Sequence, residues 1–100
     1  MPNPTPVPDP GTPPLIVDRI QTGVRMEKRM VKVLKALAEY LDISLGDLLE
    51  GIVLHAFEST PPFSAETLRR VAQLKEVYSM DYDVRASHLL TENSPMPPSA

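Results

Sequence analysis

One alternating stretch governs what this chain can become. In residues 19–26, "RIQTGVRM", Ile20, Thr22, Val24 and Met26 fall on one side and Arg19, Gln21, Gly23 and Arg25 on the other. That period of two is the pattern of a strand with one apolar and one polar face. No second stretch of similar quality follows it. An unpaired strand leaves its backbone donors and acceptors unsatisfied. Its partner has to come from outside, and the simplest source is another copy of the chain.

Helical periodicity follows directly. Met30, Leu34, Leu37 and Leu41 recur at i, i+4, i+7 and i+11, with Val31, Val33 and Ala38 widening the stripe, so the spacing predicts a helix over 28–41. "YLDISLGDLLEG" then holds a break and a restart. Ser44 is a good N-cap, and Asp47 sits near the position where a capping box places Glu. The second predicted helix runs from Leu45 to Phe57, with Leu45, Leu48, Leu49, Ile52, Val53, Ala56 and Phe57 as its stripe. Gly46 lies in its first turn, where a backbone can approach a ligand, and Gly51 reads either as close helix packing or as plain tolerance. Pro61 and Pro62 stop this helix, and Ser64 can cap a third over 65–79. Leu68, Val71, Leu74 and Tyr78 form the expected stripe of that third helix, with Val77 adjacent. A short helix is expected near Val84 to Leu90.

The two ends read differently. Proline stands at every second position from Pro2 to Pro10, then at Pro13 and Pro14. Proline fixes φ and lacks the backbone donor, so this segment reads as a solvated, polyproline-leaning tail. The division expected is a disordered Pro-rich tail over 1–18, a folded unit over 19–58, a helical extension over 59–90 and a disordered tail over 91–100. The chain has no cysteine, which removes disulfides, thiolate metal sites and cysteine nucleophiles. No apolar run approaches membrane-spanning length and the start does not read as a signal peptide, so no membrane and a cytoplasmic location are expected.

Charge is segregated along the chain. Arg19, Arg25, Lys28, Arg29, Lys32 and Lys35 stand against Glu27 alone, whereas Ala36 to Glu58 holds Glu39, Asp42, Asp47, Glu50 and Glu58 with no Lys or Arg. The net charge of −3 hides this basic end. A local basic patch is the electrostatic footprint of a nucleic-acid binder. Positive charge at the start of a helix opposes its dipole. The cluster therefore serves something other than the fold, unless it is simply a solvated face.

The strand and two helices span about forty residues, a size that usually needs a staple, a metal or a partner. Two copies can interlock their helices into one core and pair their strands antiparallel above it. The sequence "TGVRMEKRMVKVLKALAEYLDISLGDLLEGIVLHAF" carries a strand ending in Val-Arg-hydrophobic, a Leu-x-x-Leu-Ala segment, a break, and a Ser-started helix with Leu48 and Leu49 paired. Over residues 19–58 this order resembles the ribbon-helix-helix family of bacterial repressors, the Arc and methionine-repressor type. The fold class the resemblance implies is mainly α: one strand and two helices per chain in an intertwined homodimer, here with an extra C-terminal helix.

The function the resemblance implies is a dimeric, sequence-specific DNA-binding regulator of repressor type, bound to double-stranded DNA. In the family the ribbon enters the major groove and its outward residues meet base edges. By position these are Gln21, Gly23 and Arg25. Arg suits guanine, Gln suits adenine, and the groove admits a two-stranded ribbon. The start of the second helix, Ser44, Leu45 and Gly46, holds a phosphate in the family, consistent with its free N–H groups and dipole. Lys28 and Arg29 are placed to add phosphate contacts. The chain departs from the pattern at Gly23, which has no side chain to read a base, and at Asp42, which stands where the family often has Gly. Acidic Asp47 beside the phosphate position is a third departure.

His55 and His88 fit no metal signature, and no phosphate loop, nucleophile elbow or catalytic carboxylate pair is present. No enzyme activity, metal or cofactor is expected. The alternative is a protein-interaction module: an antitoxin-like chain that grips a partner protein through residues 60–94, or a pure dimerisation unit.

Overall fold

The computed structural model describes residues 13–93. Most of the expected tails, 1–12 and 94–100, lies outside the described residues. Among the described residues three α-helices follow one another: α1 (Lys28–Leu41), α2 (Leu45–Phe57) and α3 (Ala65–Val77), then a single 3-10 turn at Val84–Ala86. The protein is mainly helical, with α1 packed against both α2 and α3. The first two helices begin and end where the periodicity places them. The third ends two residues short of its expected 79, and the helix expected over 84–90 shrinks to the one 3-10 turn.

Each helix end has an identifiable cause. Glu27 caps α1: its carboxylate accepts from the backbone N–H groups of Arg29 at 2.9 Å and Met30 at 3.3 Å. The hydroxyls of Ser44 and Ser64 do the same for Asp47 at 3.0 Å and Thr67 at 3.1 Å. All three C-termini close in a Schellman motif around a left-handed residue that is not glycine: Asp42 (φ 58°), Ser59 (φ 53°) and Ser79 (φ 56°). After α1, Asp42 N–H bonds to Glu39 at 3.1 Å and Ile43 N–H to Ala38 at 3.0 Å; the corresponding pairs follow α2 and α3. Among the described residues no glycine has a positive φ.

The core is small. Leu37, Ala38, Leu41 and Leu48 are buried together, with Leu34, Tyr40, Ile43, Ile52, Phe63, Val71 and Leu74 packed around them. Because α1 is covered on two sides, its buried line runs through Val33, Leu37, Ala38 and Leu41, while Met30 and Leu34 are only half-buried. On α3 the expected Leu68 is exposed, and Thr67 takes the inward position at 1% exposure. The Ser64 hydroxyl donates to Thr67 Oγ1 at 3.1 Å, so Thr67 is satisfied locally and its methyl group can be buried. Thr67, Val71, Leu74 and Tyr78 form the true helical face. Arg70 of α3 stacks on Tyr40 of α1 with 4.4 Å from guanidinium carbon to ring centroid.

Among the described residues, apolar side chains remain uncovered on α2 and on the segment before α1, as well as on α3 and after it. Only Leu48 of α2 is buried; Leu54 and Phe57 are 63% and 78% exposed. Residues 13–27 have no regular secondary structure, and no strand occurs among the described residues. The alternating stretch thus differs from expectation within one chain: Ile20 and Val24 are 87% and 76% exposed. A strand whose pairing partner is a second copy has no ladder to form within a single chain. Gly51 also supports no close packing here, since a Cβ built on it would meet nothing within 4 Å.

Candidate nucleic-acid interface

Glu27 organises the basic end of the molecule. Besides capping α1, its carboxylate accepts from the Tyr82 hydroxyl at 2.5 Å and from Arg29 Nε at 3.3 Å. Arg29 Nη1 in turn donates to the Ser79 carbonyl at 3.0 Å and to Asp81 at 3.1 Å, and its guanidinium lies 5.4 Å from the Tyr82 ring centroid. The segment after α3 is thereby pinned onto the start of α1.

Ionisation follows this geometry. The Glu27 carboxyl is pulled down to about 2, first by the Tyr82 hydroxyl and then by the Arg29 backbone N–H. Burial, and next the bond to Glu27, push the Tyr82 hydroxyl up to about 12. A carboxyl lowered in the folded state stabilises that state above its ordinary value of 4.5, and the contribution is lost as pH falls toward about 2. A raised tyrosine stabilises below its ordinary 10.0 and loses the contribution as pH climbs toward about 12. The contact is therefore expected to loosen in both windows. An NMR titration following the Tyr82 ring checks this, and Glu27→Gln should abolish the acid step while leaving the alkaline one.

The expected base-contacting residues, Gln21, Gly23 and Arg25, are all exposed on the segment leading into α1. Arg25, with 84% of its side chain exposed, forms an ion pair with Glu92, whose carboxylate accepts from Arg25 Nε at 3.0 Å. Arg19 makes a two-pronged contact with Glu50 of α2, at 3.0 Å and 2.8 Å. Lys28 is exposed at the first position of α1 and has no ion pair among the described residues.

Ser44, Leu45 and Gly46 open α2 at the far end of α1. A fourteen-residue helix spans about 20 Å at 1.5 Å per residue. Arg25, Lys28 and Arg29 are gathered at one end of α1, and a single chain does not bring Ser44–Gly46 to them. At that second place Ser44 Oγ takes the Asp47 N–H. The space above Gly46 is open, with Ser44 Oγ at 4.0 Å the nearest atom to a built Cβ. His55 donates from Nδ1 to the Gly51 carbonyl at 2.7 Å, a bond internal to α2.

Four residues with a hold on this site were not singled out from the sequence. Glu27 carried a local signal, since it directly precedes the predicted helix and a carboxylate at that place offsets the following cations. Asp81, Tyr82 and Glu92 carried none, because their partners stand more than fifty residues away. The basic cluster is thus partly structural: Arg29 ties the segment after α3 to the start of α1. Among the described residues no helix is long and apolar enough to cross a membrane. Comparison with protein-family models, curated proteins and solved structures finds no match to this chain.

Proposed function

We propose that the protein is a homodimeric DNA-binding regulator of the ribbon-helix-helix type, whose paired segments 19–26 enter the major groove. The observation that carries this reading is the matched pair of uncovered apolar surfaces. Ile20 and Val24 line one on the segment before α1; Val53, Leu54 and Phe57 line the other on α2. Exposed apolar area of this kind marks an interaction surface. A second copy supplies both a ladder for the segment and a cover for α2. The order of elements and the left-handed turn at Asp42 between α1 and α2 add support. In this arrangement Gln21, Gly23 and Arg25 face the bases, while Lys28, Arg29 and the start of α2 at Ser44–Gly46 face phosphates.

Two measurements test it. Sedimentation equilibrium should give a dimer at micromolar concentration, with an unfolding midpoint that rises with protein concentration. Selection from a random DNA pool should return a common sequence bound more tightly than its scramble, with affinity falling as salt rises. A folded monomer, or no binding to either DNA at low salt, would remove the reading.

A second reading has its own observation. Acids cover the arginines of the basic stretch: Glu50 on Arg19, Glu92 on Arg25, and Glu27 with Asp81 on Arg29. A face so neutralised suits a protein-interaction module of antitoxin or dimerisation type. A failed DNA selection with the dimer intact would favour it.

A further inference from the structure

We propose that residues 79–93 form an acidic strap that occupies the cations of the candidate DNA face and is displaced when DNA binds; this inference rests on the DNA-binding reading above. The strap is fixed at one end and loose at the other. At the fixed end, Tyr82 donates to Glu27 in a part-buried contact, and Arg29 adds exposed bonds to Ser79 and Asp81. At the loose end, residues 90–93 lie across an open cleft from residues 25–30. The contact there is the ion pair between Arg25 and Glu92, whose side chains are 84% and 65% exposed.

Charge explains the choice of occupant. The strap contains Asp81, Asp83 and Glu92 against Arg85. Arg85 is spent on its neighbour Asp83, which accepts from it at 2.9 Å and 3.1 Å. The acids left over, Asp81 and Glu92, meet Arg29 and Arg25. A carboxylate oxygen accepts from a guanidinium much as a phosphate oxygen does. The strap therefore offers the arginines acceptors of the kind the DNA backbone offers, and it pairs the side chain assigned to base contact with a carboxylate. An exposed ion pair is weak, so DNA can displace its loose end at little cost. The strap then acts as a threshold against weak, non-specific sites rather than as a block.

Glu92→Gln removes the charge at the loose end without altering α1. Glu58→Gln, at the end of α2, removes the same charge elsewhere and corrects for the change in net charge. The full-length protein and both variants are titrated with the selected DNA and its scramble at low salt. Glu92→Gln should bind about two- to thirtyfold more tightly than Glu58→Gln, the range for losing one weak exposed pair from each of two chains. The gain should be visible on the scramble as well. Equal affinities for the two variants overturn the strap and leave DNA binding standing. Absence of binding by all three removes the DNA reading and the strap with it.

Discussion

Leu37→Ala is expected to lower the unfolding free energy by about 2–5 kcal/mol, the range for a large-to-small change that leaves a cavity. Leu37 is 1% exposed and lies in the buried cluster with Ala38, Leu41 and Leu48. Small domains have only about 5–15 kcal/mol in total, so this variant should be near the edge of folding. Urea denaturation followed by helical circular dichroism measures it. A loss below about 1 kcal/mol would mean that this cluster is not the core. Val53→Ala supplies the contrast. Val53 is 45% exposed in the single chain, where such a change should stay within about 0.5 kcal/mol. If a second copy covers it, the two lost methyl groups should cost about 1–3 kcal/mol, and the loss should depend on protein concentration.

The other large effect concerns DNA. Arg25→Ala should leave the protein folded, because its side chain is 84% exposed and its ion pair with Glu92 is of the weak, solvated kind. On selected DNA it should lose about 1–3 kcal/mol for each base contact, twice over in a dimer, and relax preference at one position in each half-site. Lys28→Ala should act differently. It should weaken binding to all sequences alike and flatten the salt dependence, since fewer counterions are released. Titrations of both variants on selected and scrambled DNA, at two salt concentrations, separate the roles. Arg25→Ala binding both DNAs as wild type does would take Arg25 out of the interface.

What the sequence makes legible here is local. The spans of α1 and α2 follow from a stripe read within a few turns and from Ser44, whose hydroxyl needs only a neighbour three residues on. Pro61 and Pro62 likewise mark the gap before α3 without any knowledge of what packs against it. Asp42 tolerates the left-handed turn after α1 because its side chain is short and polar. The face of α3 was misread because apolar type favours Leu68. Thr67 can face inward because Ser64 satisfies its hydroxyl. The electrostatics of the site were hidden for a different reason. Tyr82 meets Glu27 across 55 residues and Glu92 meets Arg25 across 67, and no periodicity reports such distances. The apparent basic end of the linear chain is, once folded, a set of partly neutralised arginines beside exposed lysines.

The left-handed residues that close the three helices have a consequence for tolerance to change. Ser59 and Ser79 adopt a conformation that costs a residue with a Cβ about 1 kcal/mol or more. Glycine would remove that strain, but it would also free the unfolded chain by about 0.4–1 kcal/mol. The two terms nearly cancel, so drift between serine and glycine at these corners should be almost invisible to selection on stability. What serine and Asp42 keep, and glycine would surrender, is stiffness. At Asp42 and Ser59, a corner with few alternative backbone states fixes the direction in which the chain leaves toward the next helix. The three helices should therefore hold their mutual angles as a rigid bracket, ready-shaped before anything docks on them.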